Sequence, residues 1–114
     1  MAILVDWCLL DVARARGRIT THLAGAVFAH PLLPEMHQII TSPLRELALD
    51  GAWARTLSRC YRLELPLDAN RRESFFRTVA PTIAAVYGIQ IRDIRVSTGA
   101  LVRKTCRPIP EVLK

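Results

Sequence analysis

Between Trp53 and Leu65 the chain alternates with period two, and no other stretch limits its fold so tightly. Trp53, Arg55, Leu57, Arg59, Tyr61, Leu63 and Leu65 fall on one face of an extended strand. Ala54, Thr56, Ser58, Cys60, Arg62 and Glu64 fall on the other. Side chains of a strand point alternately to its two faces, so the pattern predicts β structure. Asp50-Gly51 stands just ahead and Pro66 just behind. Asp-Gly is a strong hairpin signal, because a type I′ turn needs positive φ at both central positions. The partner strand is expected over Gln38–Leu49, where Pro43 marks an edge position or a bulge.

Upstream, residues 3–16 read either way. Ala13 and Ala15 favour helix, whereas the Ile, Val and Trp content favours strand. In the strand reading Val5, Trp7 and Leu9 oppose Leu4, Cys8, Leu10 and Val12. We prefer it, because Arg18–Ala29 then supplies a hairpin partner across Gly17. Two prolines make His30–Pro34 a loop. Downstream the period changes to that of a helix over Asn70–Tyr87. Phe75, Phe76, Val79, Ile83, Val86 and Tyr87 form its apolar stripe, with Asp68 or Asn70 as N-cap and Gly88 as C-cap. Pro81 predicts a kink. Ile89–Ser97 and Leu101–Cys106 suggest a closing hairpin that turns near Thr98-Gly99. The expected fold is therefore α+β: a mostly antiparallel sheet of five or six strands covered by one main helix. We expect a single domain over residues 1–114, β-rich over 1–65 and helix plus hairpin over 66–114. An exposed edge strand would offer a homodimer contact.

Composition excludes several classes. A hydrophobic fraction of 51% is too high for a disordered chain. Asp6 and Asp11 break the N-terminal apolar run, so neither a membrane span nor a secretory signal is expected. Cys8, Cys60 and Cys106 are odd in number and widely spaced, as reduced thiols of a cytoplasmic protein would be. His22, His30 and His37 with Cys60 lack metal-ligand spacing, so no metal and no cofactor is expected. Cys60 has no ordered base beside it in sequence, the acids sit at turns and caps, and no phosphate-binding glycine motif occurs. The chain does not read as an enzyme.

Its charge says more. Sixteen basic against ten acidic residues give +6, and fourteen of the sixteen are arginine. Residues 1–50 hold four Arg and five acids; residues 51–114 hold ten Arg, two Lys and five acids. A basic half suggests an anionic partner, such as nucleic acid, an acidic protein surface or a nucleoprotein of the host. The candidate contacts are Arg55, Arg59, Arg62, Arg71, Arg72, Arg77, Arg103, Lys104 and Arg107, with Arg92 and Arg95 nearby in the last hairpin. Trp53 and Tyr61 are candidate stacking platforms for bases. The plainer reading puts Trp53 and Tyr61 in a core and pairs the arginines with acids such as Glu46. Sequence alone does not decide whether these clusters converge.

One resemblance stands beside this reading. His30-Pro31-x-Leu33-Pro34, Thr41-Ser42-Pro43-Leu44, Trp53-x-Arg55-Thr56 and Tyr61-Arg62-Leu63 resemble a motif of small uncharacterised bacterial proteins. Many of those are encoded on phages, plasmids and integrated elements, and their motif has the form GHP-x-LP-DG…TS…W-x-RT…YRLG. The match covers about residues 19–64. Ala29 replaces the glycine before His-Pro, Glu35-Met36 replaces Asp-Gly, and Glu64 replaces the glycine that ends the last strand. The resemblance implies a small β-rich fold and a mobile-element context, and no mechanism. Two functional expectations follow. One is a basic, non-catalytic accessory protein that binds nucleic acid or a nucleoprotein complex. The other is an inhibitor or adaptor, an anti-defence or host-takeover factor, that binds a host protein stoichiometrically.

Overall fold

The computed structural model describes residues 2–97 and the backbone of Lys104–Thr105. Its strands are β1 (Ala2–Ala13), β2 (Ile19–Phe28), β3 (His37–Ala48), β4 (Trp53–Thr56), β5 (Cys60–Pro66), β6 (Ile94–Val96) and β7 (Lys104–Thr105). The helix α1 spans Arg72–Tyr87. The fold is α+β, and all seven strands belong to one mostly antiparallel sheet. Of residues 3–16, those up to Ala13 are strand, as preferred above, and a short turn follows at Ala15–Gly17.

The first five strands close on themselves. Each pairs antiparallel with the next, and β5 returns to lie parallel to β1. An up-and-down ring with an odd number of strands has to close on a parallel pair. Closure takes away the free edges that edge-to-edge pairing needs. Among the described residues only the short β6 and β7 remain outside the ring, on β1 at Leu10–Val12 and on β3 at Leu47–Ala48. The expected edge-strand homodimer therefore has little backbone to form on.

A bulge in β1 divides the core in two. The β1–β2 register shifts between Val5 and Cys8, and Asp6 there has φ 52. One extra residue in a strand flips every later side chain to the opposite face. Leu4 before the bulge and Leu9 after it therefore both point into the barrel, with Leu23, Val27, Leu47, Ala54, Tyr61 and Leu63. Cys8, Leu10 and Val12 point outward instead, beneath α1. The simple alternation expected for this segment fails for that reason. Gly25 faces the bulge, and a Cβ there would lie 3.0 Å from the Val5 carbonyl oxygen, so only glycine fits without backbone movement.

The outer core lies between β1 and α1. Phe75, Phe76, Val79, Ala80, Ile83, Ala84 and Tyr87 pack on it, with Ile94 from β6. Of these, Ala80, Ile83 and Ile94 are fully buried, and burying an Ile side chain contributes about 1.5–3 kcal/mol. Val86, expected in the stripe, is 69% exposed. Asp68 caps the short 3₁₀ turn Ala69–Arg71 that leads into α1, its carboxylate accepting from the Asn70 N–H at 3.0 Å, whereas the N-cap of α1 itself is Arg71, which makes no side-chain cap. The helix runs through Pro81 as one segment and ends at Gly88, φ 64, as expected for a glycine C-cap. Among the described residues no helix is long and apolar enough to cross a membrane.

Three local expectations change. Trp53–Leu65 is two strands, because the chain reverses at Leu57–Arg59, where the Thr56 hydroxyl accepts from the Arg59 N–H and donates to its carbonyl. The loop at Asp50-Gly51 is longer than two residues. Only Gly51 has positive φ, and the Asp50 carboxylate accepts from the Ala52 N–H. Among the described residues, the two arms expected for a closing hairpin pair elsewhere, β6 with β1 and β7 with β3; the turn at Thr98-Gly99 and most of the second arm lie outside the described residues. Pro43 does sit beside a register shift, between His22 and Ala24 of β2, as a bulge. Of the three motif glycines replaced here, two stand where the backbone is left-handed: Ala29 has φ 55 and Met36 φ 62. Glycine takes that conformation without a steric penalty.

Candidate functional site

Side chains on β1, β2 and β6 fall into rows, because partners in an antiparallel ladder stand side by side. Thr21, Asp11 and Arg95 make one row. Asp11 is buried there, accepts from the Thr21 hydroxyl at 2.6 Å, and lies 3.9 Å from the Arg95 guanidinium. Just past the β1–β2 ladder, which ends at Ala13 and Ile19, Arg14 and Arg18 face one another, and Arg92 sits in the 3₁₀ turn Ile91–Asp93 ahead of β6. The Arg14 N–H donates to the Arg18 carbonyl at 2.6 Å, which fixes that pair. Beyond it the chain turns through Arg16 (φ 63) and Gly17 (φ 72). Both central residues of the turn are left-handed, as a tight hairpin requires.

Arg14 is held in place. Its Nε donates to the Thr20 hydroxyl at 3.1 Å, and its guanidinium lies 4.6 Å from the centre of the Tyr87 ring. A cation over an aromatic face is attracted to the ring's quadrupole. Thr20 passes the chain of hydrogen bonds to His22, at 2.9 Å from Nε2, while Nδ1 lies 2.7 Å from the Thr41 carbonyl. A carbonyl only accepts, so Nδ1 carries the proton and Nε2 accepts from Thr20. Burial lowers the His22 pKa, the Thr41 carbonyl and Asp11 oppose that, and Arg14 adds to it. The imidazole is neutral and forms the inner end of a fixed network. Arg16, Arg18 and Arg92 are exposed, and among the described residues none has a recorded ion pair. Asp93, next to Arg92, accepts from the Gln90 N–H and is occupied in its own turn.

The residues singled out from sequence do not gather. Arg55 is neutralised by Glu46, its guanidinium 2.8 Å from the carboxylate. Arg55 and Arg62 share the outer face of β4–β5, opposite Cys60 and Trp53, and Arg59 stands in the turn beyond them. Arg71 and Arg72 are neighbours at the start of α1, and Arg71 lies 3.9 Å from Asp6. Arg77 pairs with Glu73 one helical turn away at 2.8 Å. Arg103 and Arg107 lie outside the described residues, and Lys104 is described as β7 backbone beside Leu47. The stacking expectation fails. Trp53 is 1% exposed against Ala48 and Cys60, and Tyr61 is 4% exposed inside the barrel, where burial also raises its pKa. Neither ring presents a face to a base.

Sequence reading missed the β1–β2 tip. Its signal was Arg14-x-Arg16-Gly17-Arg18, three cations around a glycine turn, hidden in the half with the lower charge count. The motif residues are structural here. Thr41 Oγ1 accepts from the Leu23 N–H, Ser42 Oγ meets Ser58 Oγ at 2.9 Å, and Thr56 closes its turn. The His30 ring accepts locally, from the Leu32 N–H. The Cys8 thiol is buried and its pKa pushed up to about 11, so it is inert near neutral pH. Among the described residues, no three His, Cys, Asp or Glu side chains gather as a metal ion would need. No protein-family model, curated protein or solved structure matches the chain.

Proposed function

We propose that this chain is a small, non-catalytic, cytoplasmic accessory protein of a mobile element that binds nucleic acid through the tip of its β1–β2 hairpin. One observation carries the reading. Arg14 and Arg18 are paired across the end of the β1–β2 hairpin, and Arg16 stands in the turn between them. The nearest acid on β1, Asp11, is buried and accepts from the Thr21 hydroxyl. Arginine forks match phosphate oxygens bidentately. With Trp53 and Tyr61 buried, the contact is to the phosphate backbone and carries little base preference.

The test is binding of the purified protein to single-stranded DNA, duplex DNA and RNA over about 50–300 mM salt. A steep loss of affinity with salt is expected, reduced in Arg16→Ala/Arg18→Ala and kept in Arg55→Ala. Absence of binding at low salt to all three would sink the reading.

A second reading, a protein-directed inhibitor or adaptor, draws on the other end of the barrel. Leu32 and Met36 in the β2–β3 loop and Leu57 in the β4–β5 turn are 78%, 68% and 56% exposed. Both connections lie opposite the arginine tip, because successive strands alternate in direction. Complex formation that is indifferent to salt and abolished by Leu32→Asp would favour this end.

A further inference from the structure

A groove runs between the start of β3 and α1, on the side of the helix away from β6. It comprises two adjoining clefts of about 230 Å³ and 270 Å³ that share Gln38, Thr78 and Val79. Their combined size is in the range of small-molecule sites. Both clefts are mostly apolar, and a charge distinguishes the ends. Arg71 and Ser74 stand beside Leu67 and Phe75 at one, while Ala24, Ile40, Thr82 and Ile83 line the other. In the middle, the Thr78 hydroxyl donates to the Ser74 carbonyl, so it needs no partner from a ligand.

The polar end is set for negative charge. Arg71 and Arg72 stand at the N-terminus of α1, where aligned peptide dipoles already place partial positive charge. Helices usually carry acids there, and the one acid of this first turn, Glu73, is paired with Arg77. Among the described residues Arg71 pairs with Asp6, at 3.9 Å, with both side chains well exposed. Such a pair contributes little and leaves the guanidinium open to an incoming anion.

We propose that this groove binds an amphiphile with an anionic head and a single aliphatic tail, the head on Arg71 and Ser74, the tail along Val79, Ile40 and Ile83. The site is separate from the arginine tip. Arg14 follows the end of β1, eight residues on from Asp6, a span of at most about 26 Å at about 3.3 Å per residue.

Calorimetric titration of the full chain tests it, using dodecanoate, dodecanol, dodecyltrimethylammonium and acetate, each below its micellar limit. Dodecanoate should bind one to one, and dodecanol and the cation about tenfold more weakly or worse. Acetate should show no heat of binding. Arg71→Gln should lower dodecanoate affinity about tenfold and leave dodecanol unchanged. Thr78→Trp, at an exposed helix position, should block the shared middle and abolish both while the far-UV spectrum and melting temperature persist. Co-sedimentation with phosphatidylglycerol vesicles, lost in Thr78→Trp, would assign the head group to a lipid; dodecanoate binding without co-sedimentation would assign it to a free acid. Equal binding of the cation, indifference to both substitutions, or no saturable dodecanoate binding would overturn the proposal.

Discussion

The β4–β5 hairpin and the β1–β2 tip each carry three arginines, and the two regions use them in opposite ways. On β4–β5 the charges are set among a buried Trp53, a buried Tyr61 and the carboxylate of Glu46, 2.8 Å from Arg55. At the tip, Arg14 is braced by Thr20 and Tyr87, while Arg16 and Arg18 face solvent with no recorded ion pair among the described residues. Local potential follows the distance between charges and the depth of their partners, and a count along the chain contains neither. Among the described residues, the half of the sequence with the lower net charge places three arginines around one exposed turn.

The contrast can be broken most sharply at Trp53. If its ring is core, Trp53→Ala costs about 3–5 kcal/mol in urea unfolding, whereas Trp53→Phe folds and binds nucleic acid like the wild type. A folded Trp53→Ala that loses binding would restore the stacking surface. The next largest effect is expected at the tip. Arg16→Ala/Arg18→Ala should weaken nucleic-acid binding about tenfold or more at low salt and flatten the slope of log K against log salt by about two. Arg55→Ala should leave that slope unchanged, as a cation already paired with Glu46 would.

The network behind the tip gives a third test. Burial holds the His22 pKa below its ordinary 6.5. As pH falls, the unfolded chain takes up the proton first, so this contribution to stability is full above about 6.5. It is lost as pH falls from there toward the lowered folded value. The expected slope is at most about 1.4 kcal/mol per pH unit, since one proton is involved. His22→Gln should remove it from the difference between the wild-type and variant unfolding curves. Thr20, Thr41 and Tyr87 line the imidazole, with Arg14 and Asp11 as the nearby charges. An unchanged slope would show that His22 is not held neutral.

On the other hairpin, Glu46→Gln should cost under about 1 kcal/mol, because Arg55 is half exposed and reaches water when its partner is lost. A loss of several kcal/mol in thermal unfolding would show that the pair organises the β3–β4 ladder. The smallest effect separates stability from function at one residue. Arg16 holds φ 63, a conformation that glycine adopts freely. Arg16→Gly should raise stability by roughly 0.5–1 kcal/mol and weaken binding at the same time. Movement of both quantities in the same direction would mean that Arg16 serves the turn and not the partner.

Short-range physics was readable without coordinates. Period-two segments, the loop at His30–Pro34, the turn that Asp68 caps ahead of the helix, the helix itself and its Gly88 stop depend on neighbours within a few residues. So does the α+β class. Tertiary structure alone decided what depends on pairing. The bulge at Asp6 reversed the faces of β1, and the turn at Leu57–Arg59 split one expected strand into two, because register is set by the partner strand and its twist. Closure of five strands into a ring removed the edges. The β1–β2 hairpin set Arg14 against Arg18. Residue types supplied the charges and apolar groups, and strand pairing placed arginines together at the tip and a groove beside the helix.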